Sequence, residues 1–133
     1  MGAWGIGAFD NDTACDWSAD LTDSGDLSFV EDTLTSVEEV EDDELDPHLA
    51  CEAIAACEVV ARLQGRGGRT EPHTVEVDRW IRTQPRRPSP ALVKQATNAL
   101  DRVVANSAEL AVLWDDDAAW LSSVQDLRKR VAG

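Results

Sequence analysis

The first candidate for chemistry in this chain is a segment with part of the pattern of a calcium-binding EF-hand loop. Counted from Asp20, position 1 is Asp20, position 6 is Gly25 and position 12 is Glu31, as a loop of this kind requires. Positions 3 and 5 hold Thr22 and Ser24, where calcium loops carry Asp or Asn. The segment therefore predicts an ordinary turn between two helices, and weak calcium binding by Asp20, Ser24 and Glu31 is the alternative.

The cysteines and histidines do not form a metal-binding or nucleophilic pattern. The chain has three cysteines and two histidines, which are Cys15, Cys51, Cys57, His48 and His73. A zinc site needs about four converging ligands, but the sequence contains no CxxC or HxxxH pair and no Gly-X-Ser-X-Gly motif. We therefore predict reduced thiols with Cys57 in the core, no cofactor, and no metal. We expect a binding module rather than an enzyme; a small enzyme with an unrecognised site is the alternative.

The negative charge of the chain is concentrated in its first half. The net charge is −14, and residues 1–61 contain 17 acidic residues and no Lys or Arg. This charge repels nucleic acids and anionic membranes, so we expect neither as a partner. The densest run predicts a surface for a basic protein, or else a solvated run that only keeps the protein soluble. It consists of Glu38, Glu39, Glu41, Asp42, Asp43, Glu44 and Asp46.

The composition is that of a globular protein, with 43% hydrophobic and 29% charged residues in 133 positions. No apolar run approaches the roughly 18 residues of a membrane span. No Lys or Arg precedes an apolar stretch at the amino terminus, so we expect no signal peptide. These features predict a cytoplasmic protein and leave its oligomeric state open.

Apolar residues at helical spacing predict a single all-α domain of about six helices over residues 1–133. Asp46-Pro47 and Ser89-Pro90 each combine a capping side chain with proline at the first helical position. The predicted helices cover residues 12–22, 26 into the acidic run, 47–64, 77–84, 90–103 and 115–130. The glycine-rich segment 65–72 is predicted to be a flexible loop. Residues 1–10 are predicted to form an extended arm, because their glycines allow close approach to the core.

Both ends of the chain carry a recognisable pattern. The opening matches are Gly2, Trp4, Gly5, Gly7, Phe9, Asn11, Asp12, Ala14, Asp16 and Trp17. The matches nearer the other end are Leu100, Asp101, Asn106, Ser107, Glu109, Leu110, Leu113, Trp114 and Trp120. On these residues the chain resembles an uncharacterised bacterial family, the domain-of-unknown-function 4259 family. The resemblance implies no activity and carries over no catalytic residue.

Eight of the motif residues are interpreted as structural, since the aromatic ones can bury area and the polar ones can cap a helix. The residues interpreted in this way are Trp4, Gly5, Gly7, Phe9, Asn11, Asp12, Trp17 and Trp114. With no catalytic pattern and a strongly acidic first half, the sequence favours a small protein-binding module. An immunity-type inhibitor of a basic nuclease or toxin is one protein that would have these properties.

Overall fold

The computed structural model describes residues 12–24, 27–41, 45, 47–67, 74–84, 88–105 and 117–132. These residues form six α-helices and no strand. The helices are α1 (Asp12–Thr22), α2 (Ser28–Glu39), α3 (Pro47–Leu63), α4 (Val75–Arg82), α5 (Pro90–Ala105) and α6 (Asp117–Ala132). The prediction of an all-α fold is confirmed.

Helix α3 is the centre of the fold. It packs against each of the other five helices, and every residue from Ala53 to Ala61 is buried. Most of these residues are alanine, valine or cysteine, whose small side chains allow neighbouring helices to approach closely. Glu58 is the one charged residue in this stretch, and it is only 5% exposed in this apolar environment.

The other helices bury the apolar stripes that their spacing predicts. The buried members are Ala14, Trp17, Leu21, Val30, Leu34, Val37, Val77, Trp80, Leu92, Ala96, Ala99, Val103, Trp120, Val124, Leu127 and Val131. Phe29, Val40, Leu49 and Ile81 are partly buried and pack against the same core. One apolar cluster therefore holds all six helices together, and the stripes are confirmed.

The ends of the helices follow the local sequence except at α2 and at α4, which covers Val75–Arg82 rather than the predicted 77–84. The Ser89 hydroxyl accepts a hydrogen bond from the Leu92 amide at 3.1 Å, as its predicted capping role requires. Helix α2 begins one residue later than expected, because Leu27 rather than Asp26 is at the N-cap position, with no capping side-chain hydrogen bond. It ends at Glu39, because Val40 adopts an extended conformation with φ −88° and ψ 150°. Only the beginning of the acidic run is therefore helical in the described chain.

Several predictions concern residues outside the described ranges. They include the arm at residues 1–10, residues 68–72 of the predicted loop, and the motif residues Trp4, Gly5, Gly7, Phe9, Asn11 and Trp114. The single-domain boundaries and the cytoplasmic location also stay predictions. None of the helices in the described segments combines the length and the apolar run that crossing a membrane requires.

Candidate functional site

Nine exposed carboxylates lie on α1, on α2 and on the residues that follow these helices. We call them the acidic surface: Asp12, Asp16, Asp20, Asp23, Glu31, Asp32, Glu38, Glu39 and Glu41. On α1 they recur at intervals of three or four residues, so they project from successive turns away from the buried stripe. Asp42, Asp43, Glu44 and Asp46, the remaining members of the predicted patch, lie outside the described residues.

The acidic surface differs from the rest of the molecule in how its charges are balanced. In the described segments, none of its nine carboxylates forms an ion pair. Each carboxylate described on α4, α5 and on α6 from residue 119 onward does pair with an arginine. The pairs are Glu76–Arg79, Asp78–Arg62, Asp101–Arg128 and Asp126–Arg130, with N–O distances of 2.5 to 2.9 Å. The described acids of these three segments are therefore neutralised by arginines, whereas those of the acidic surface are not.

The carboxyl end of α2 is held by an arginine from α5. The Arg102 guanidinium donates through Nη2 to the Val40 carbonyl at 2.8 Å and through Nη1 to the Val37 carbonyl. These carbonyls belong to the helix end where Glu38 and Glu39 oppose the helix dipole. An internal cation thus offsets the unfavourable position of these two carboxylates, which stay exposed on a fixed helix end.

Trp17, a residue of the opening motif, joins α1 to α2. Its Nε1 donates to the Thr33 hydroxyl at 2.8 Å, and its ring stacks on Phe29 with centroids 5.2 Å apart. The side chain is 2% exposed. Its packing supports the structural interpretation of this residue. Asp12, the other described motif residue that we interpreted as structural, is exposed at the start of α1.

The possible calcium ligands lie on three different parts of the connection between α1 and α2. Asp20 is within α1, Ser24 follows its end, and Glu31 is in the first turn of α2. The Ser24 carbonyl accepts a hydrogen bond from Trp80 Nε1 at 2.7 Å, which ties this connection to α4. Across the described ranges, no group of three or more His, Cys, Asp or Glu side chains is placed to hold a metal ion.

A charged network around the buried side chains of Glu58 and Arg62, at the end of α3, is the main feature that sequence reasoning missed. It consists of Glu58, Arg62, Asp78, Asp126 and Arg130. Glu58 Oε2 lies 2.8 Å from Arg130 Nη1 and 3.9 Å from Arg62 Nε, and Arg62 Nη1 lies 2.7 Å from Asp78 Oδ1. The sequence indicates the Glu58–Arg62 pair at i, i+4, but not the partners from α4 and α6. The sequence signal for a buried charge was Glu58, a glutamate among alanines and valines.

Arg130 connects this network to the chain that leaves α3. Its Nη1 also donates to the Arg66 carbonyl at 3.1 Å, and its Nε donates to Asp126 Oδ2 at 2.9 Å. Partial burial lowers the pKa of Arg130, but the hydrogen bonds and charges of Glu58 and Asp126 outweigh it and raise the pKa overall. The guanidinium therefore stays charged at neutral pH.

Cys57 is a core thiol, as the sequence predicts. Its Sγ donates to the Ala96 carbonyl at 3.4 Å, and the residue is fully buried. Burial and, secondarily, the charge of Glu58 raise the pKa of this thiol. It is therefore protonated at neutral pH, which is the opposite of what a nucleophilic cysteine needs. None of the three cysteines is in a disulfide.

Comparison with protein families places the chain in a family without an assigned activity. The family described as "Domain of unknown function (DUF4259)" matches residues 2–125. The chain belongs to this family, as the resemblance of its two ends implied. Comparison with curated proteins and with solved structures finds no match.

Proposed function

We propose that this member of the DUF4259 family is a binding module whose acidic surface takes a basic protein as its partner. The proposed contact region is the end of α2 and the run that follows it, from Glu38 to Asp46. An inhibitor of a basic nuclease or toxin is one kind of protein that would use such a surface. The partner's basic side chains would supply counter-charges for Glu38, Glu39 and Glu41, which form no ion pair among the described residues.

The observation that carries this proposal is the unequal pairing of carboxylates. Arginines pair with the described acids of α4, α5 and α6 from residue 119 onward, whereas the nine acids of the acidic surface have no ion-pair partner among the described residues. Unbalanced like charges repel one another and reduce the stability of the compact state. A basic partner would remove this repulsion, and the field of the same charges would accelerate its approach.

The fixed end of α2 also supports the proposal. Because Arg102 bonds the Val37 and Val40 carbonyls, the backbone under Glu38 and Glu39 is ordered before any partner arrives. Ordering a contact surface in advance lowers the entropy cost of association.

The experiment compares two variants that change the net charge equally. The acidic-surface variant is Glu38→Gln/Glu39→Gln, and the control is Glu76→Gln/Asp101→Asn, whose carboxylates are exposed but already paired with Arg79 and Arg128. The wild-type protein captures partners from a native lysate, and the purified partner is titrated with all three proteins. Circular dichroism melts check that each variant is folded.

We expect the acidic-surface variant to bind the captured protein about 2- to 30-fold more weakly, at the usual 0.2–1 kcal/mol for each exposed charge. The control should bind within about twofold of wild type. Equal weakening by both variants would show that net charge alone matters. Unchanged binding by the acidic-surface variant would remove the end of α2 from the interface.

A further inference from the structure

We propose that Arg130 couples the last turn of α6 to residues 64–67, the exit of α3. The two segments then open together as one local unit. One guanidinium nitrogen, Nη1, donates to Glu58 Oε2 at 2.8 Å and to the Arg66 carbonyl at 3.1 Å. The same side chain is braced by Asp126 at 2.9 Å through Nε. A single residue of α6 therefore bonds both Glu58 within α3 and Arg66 at the exit of α3.

The exit from α3 is a short turn closed by two backbone hydrogen bonds. The Gly65 amide donates to the Arg62 carbonyl at 3.0 Å and the Arg66 amide to the Ala61 carbonyl at 2.9 Å, the pattern of a Schellman motif. Gly65 has a φ of +78°, which glycine adopts without strain. Residues 65–67 are exposed, so the bond from Arg130 adds a tertiary contact to an otherwise local turn.

The buried charge explains why the two segments are coupled. The Glu58 side chain is 6% exposed, and a buried carboxylate that loses its partner is strongly destabilising. Arg62 is 3.9 Å away and is itself bonded to Asp78 at 2.7 Å, so it cannot replace the short contact with Arg130 unless it moves. When the last turn of α6 frays, Glu58 loses that contact and the Arg66 carbonyl is released in the same step.

Amide hydrogen exchange measured by NMR tests the coupling directly. The probes are the amides of Gly65 and Arg66 at the exit of α3 and those of the last turn of α6. The variant is Arg130→Gln, and the matched control is Arg128→Gln, which removes an equal charge from the same helix but breaks only the surface pair with Asp101. We expect both probe groups to exchange at least about tenfold faster in Arg130→Gln, the equivalent of one hydrogen bond from a charged donor. The control should leave the exit amides at their wild-type rates.

A second variant separates the effect of the Arg130–Arg66 bond from the effect of an isolated buried charge. Glu58→Gln/Arg130→Gln leaves no carboxylate stranded in the core, yet it also lacks the bond to Arg66. If Arg130 couples the two segments, the Gly65 and Arg66 amides still exchange at least about tenfold faster in this protein than in the wild type. Exit amides that keep wild-type rates in either Arg130 variant would overturn the proposal, and if the single variant does not fold, the double variant decides alone.

Discussion

Replacing Arg102 with methionine should uncap the carboxyl end of α2. Methionine keeps most of the apolar length of the arginine stem, so packing along α5 changes little. The change removes two hydrogen bonds from the guanidinium, one to the Val40 carbonyl at 2.8 Å and one to the Val37 carbonyl. It also removes the nearby positive charge that offsets Glu38 and Glu39.

The size of the effect follows from these contacts. A hydrogen bond that involves a charged group contributes about 1.5–3 kcal/mol, and a cation at a helix end adds about 0.3–1 kcal/mol. Arg102 is only partly buried, so water replaces part of the lost bonding. We expect Arg102→Met to lower the free energy of unfolding by about 1.5–3 kcal/mol. For a chain of this size the melting temperature should fall by about 5–12 °C.

Urea unfolding followed by tryptophan fluorescence measures this change, with Arg82→Met as the control. Arg82 is exposed on α4 and makes no hydrogen bond or ion pair to another described residue, so its replacement should stay within about 0.5 kcal/mol. In a Glu38→Gln/Glu39→Gln background the Arg102→Met loss should shrink, because fewer negative charges then oppose the uncapped helix end. An Arg102→Met loss no larger than that of Arg82→Met would refute the capping role.

Three further predictions concern the core and the end of α3. Trp17→Phe should lower the free energy of unfolding by about 2–3 kcal/mol in urea titrations, because it removes ring volume and the hydrogen bond to Thr33; a loss below about 0.5 kcal/mol would contradict it. Gly67→Ala should cost about 1–3 kcal/mol by calorimetry, because the added Cβ would lie 2.5 Å from Arg62 Cγ, and a gain in stability would be inconsistent with this contact. Cys57 has a pKa raised by burial in the folded state, whereas the unfolded thiol ionises near the ordinary value of 9.0. The free energy of unfolding should therefore fall above that pH by about 1.4 kcal/mol per pH unit. Cys57→Ala should lack this component in urea titrations from about pH 8 to pH 10, and equal slopes in both proteins would disprove the assignment.

The features predicted correctly from the sequence are those set by near neighbours along the chain. The start of α3 at Pro47 and the Ser89 cap of α5 depend on residues within one helical turn. The buried stripes depend on a spacing of three or four residues, which is visible in any single sequence. The start of α2 is where the local prediction was wrong, since Asp26 was expected at the N-cap and Leu27 is found there.

The contacts that organise the candidate site join residues far apart in the sequence. Arg130 and Glu58 are 72 positions apart, and Arg102 lies 65 positions from Val37. No local pattern pairs a particular arginine with a particular carbonyl or carboxylate, because the choice depends on how whole helices pack. For the same reason the sequence shows where the acids are concentrated but not which of them are neutralised.

The salt dependence of partner binding tests the role of the acidic surface most directly. The dissociation constant of the captured protein is measured between about 50 and 500 mM NaCl for the wild type and for Glu38→Gln/Glu39→Gln, a range over which exposed charges become strongly screened. We expect wild-type binding to weaken steeply with salt, and the variant to bind more weakly at low salt and to show a shallower slope. A dissociation constant that does not change with salt, or identical slopes for the two proteins, would contradict the proposal that this surface binds a basic partner.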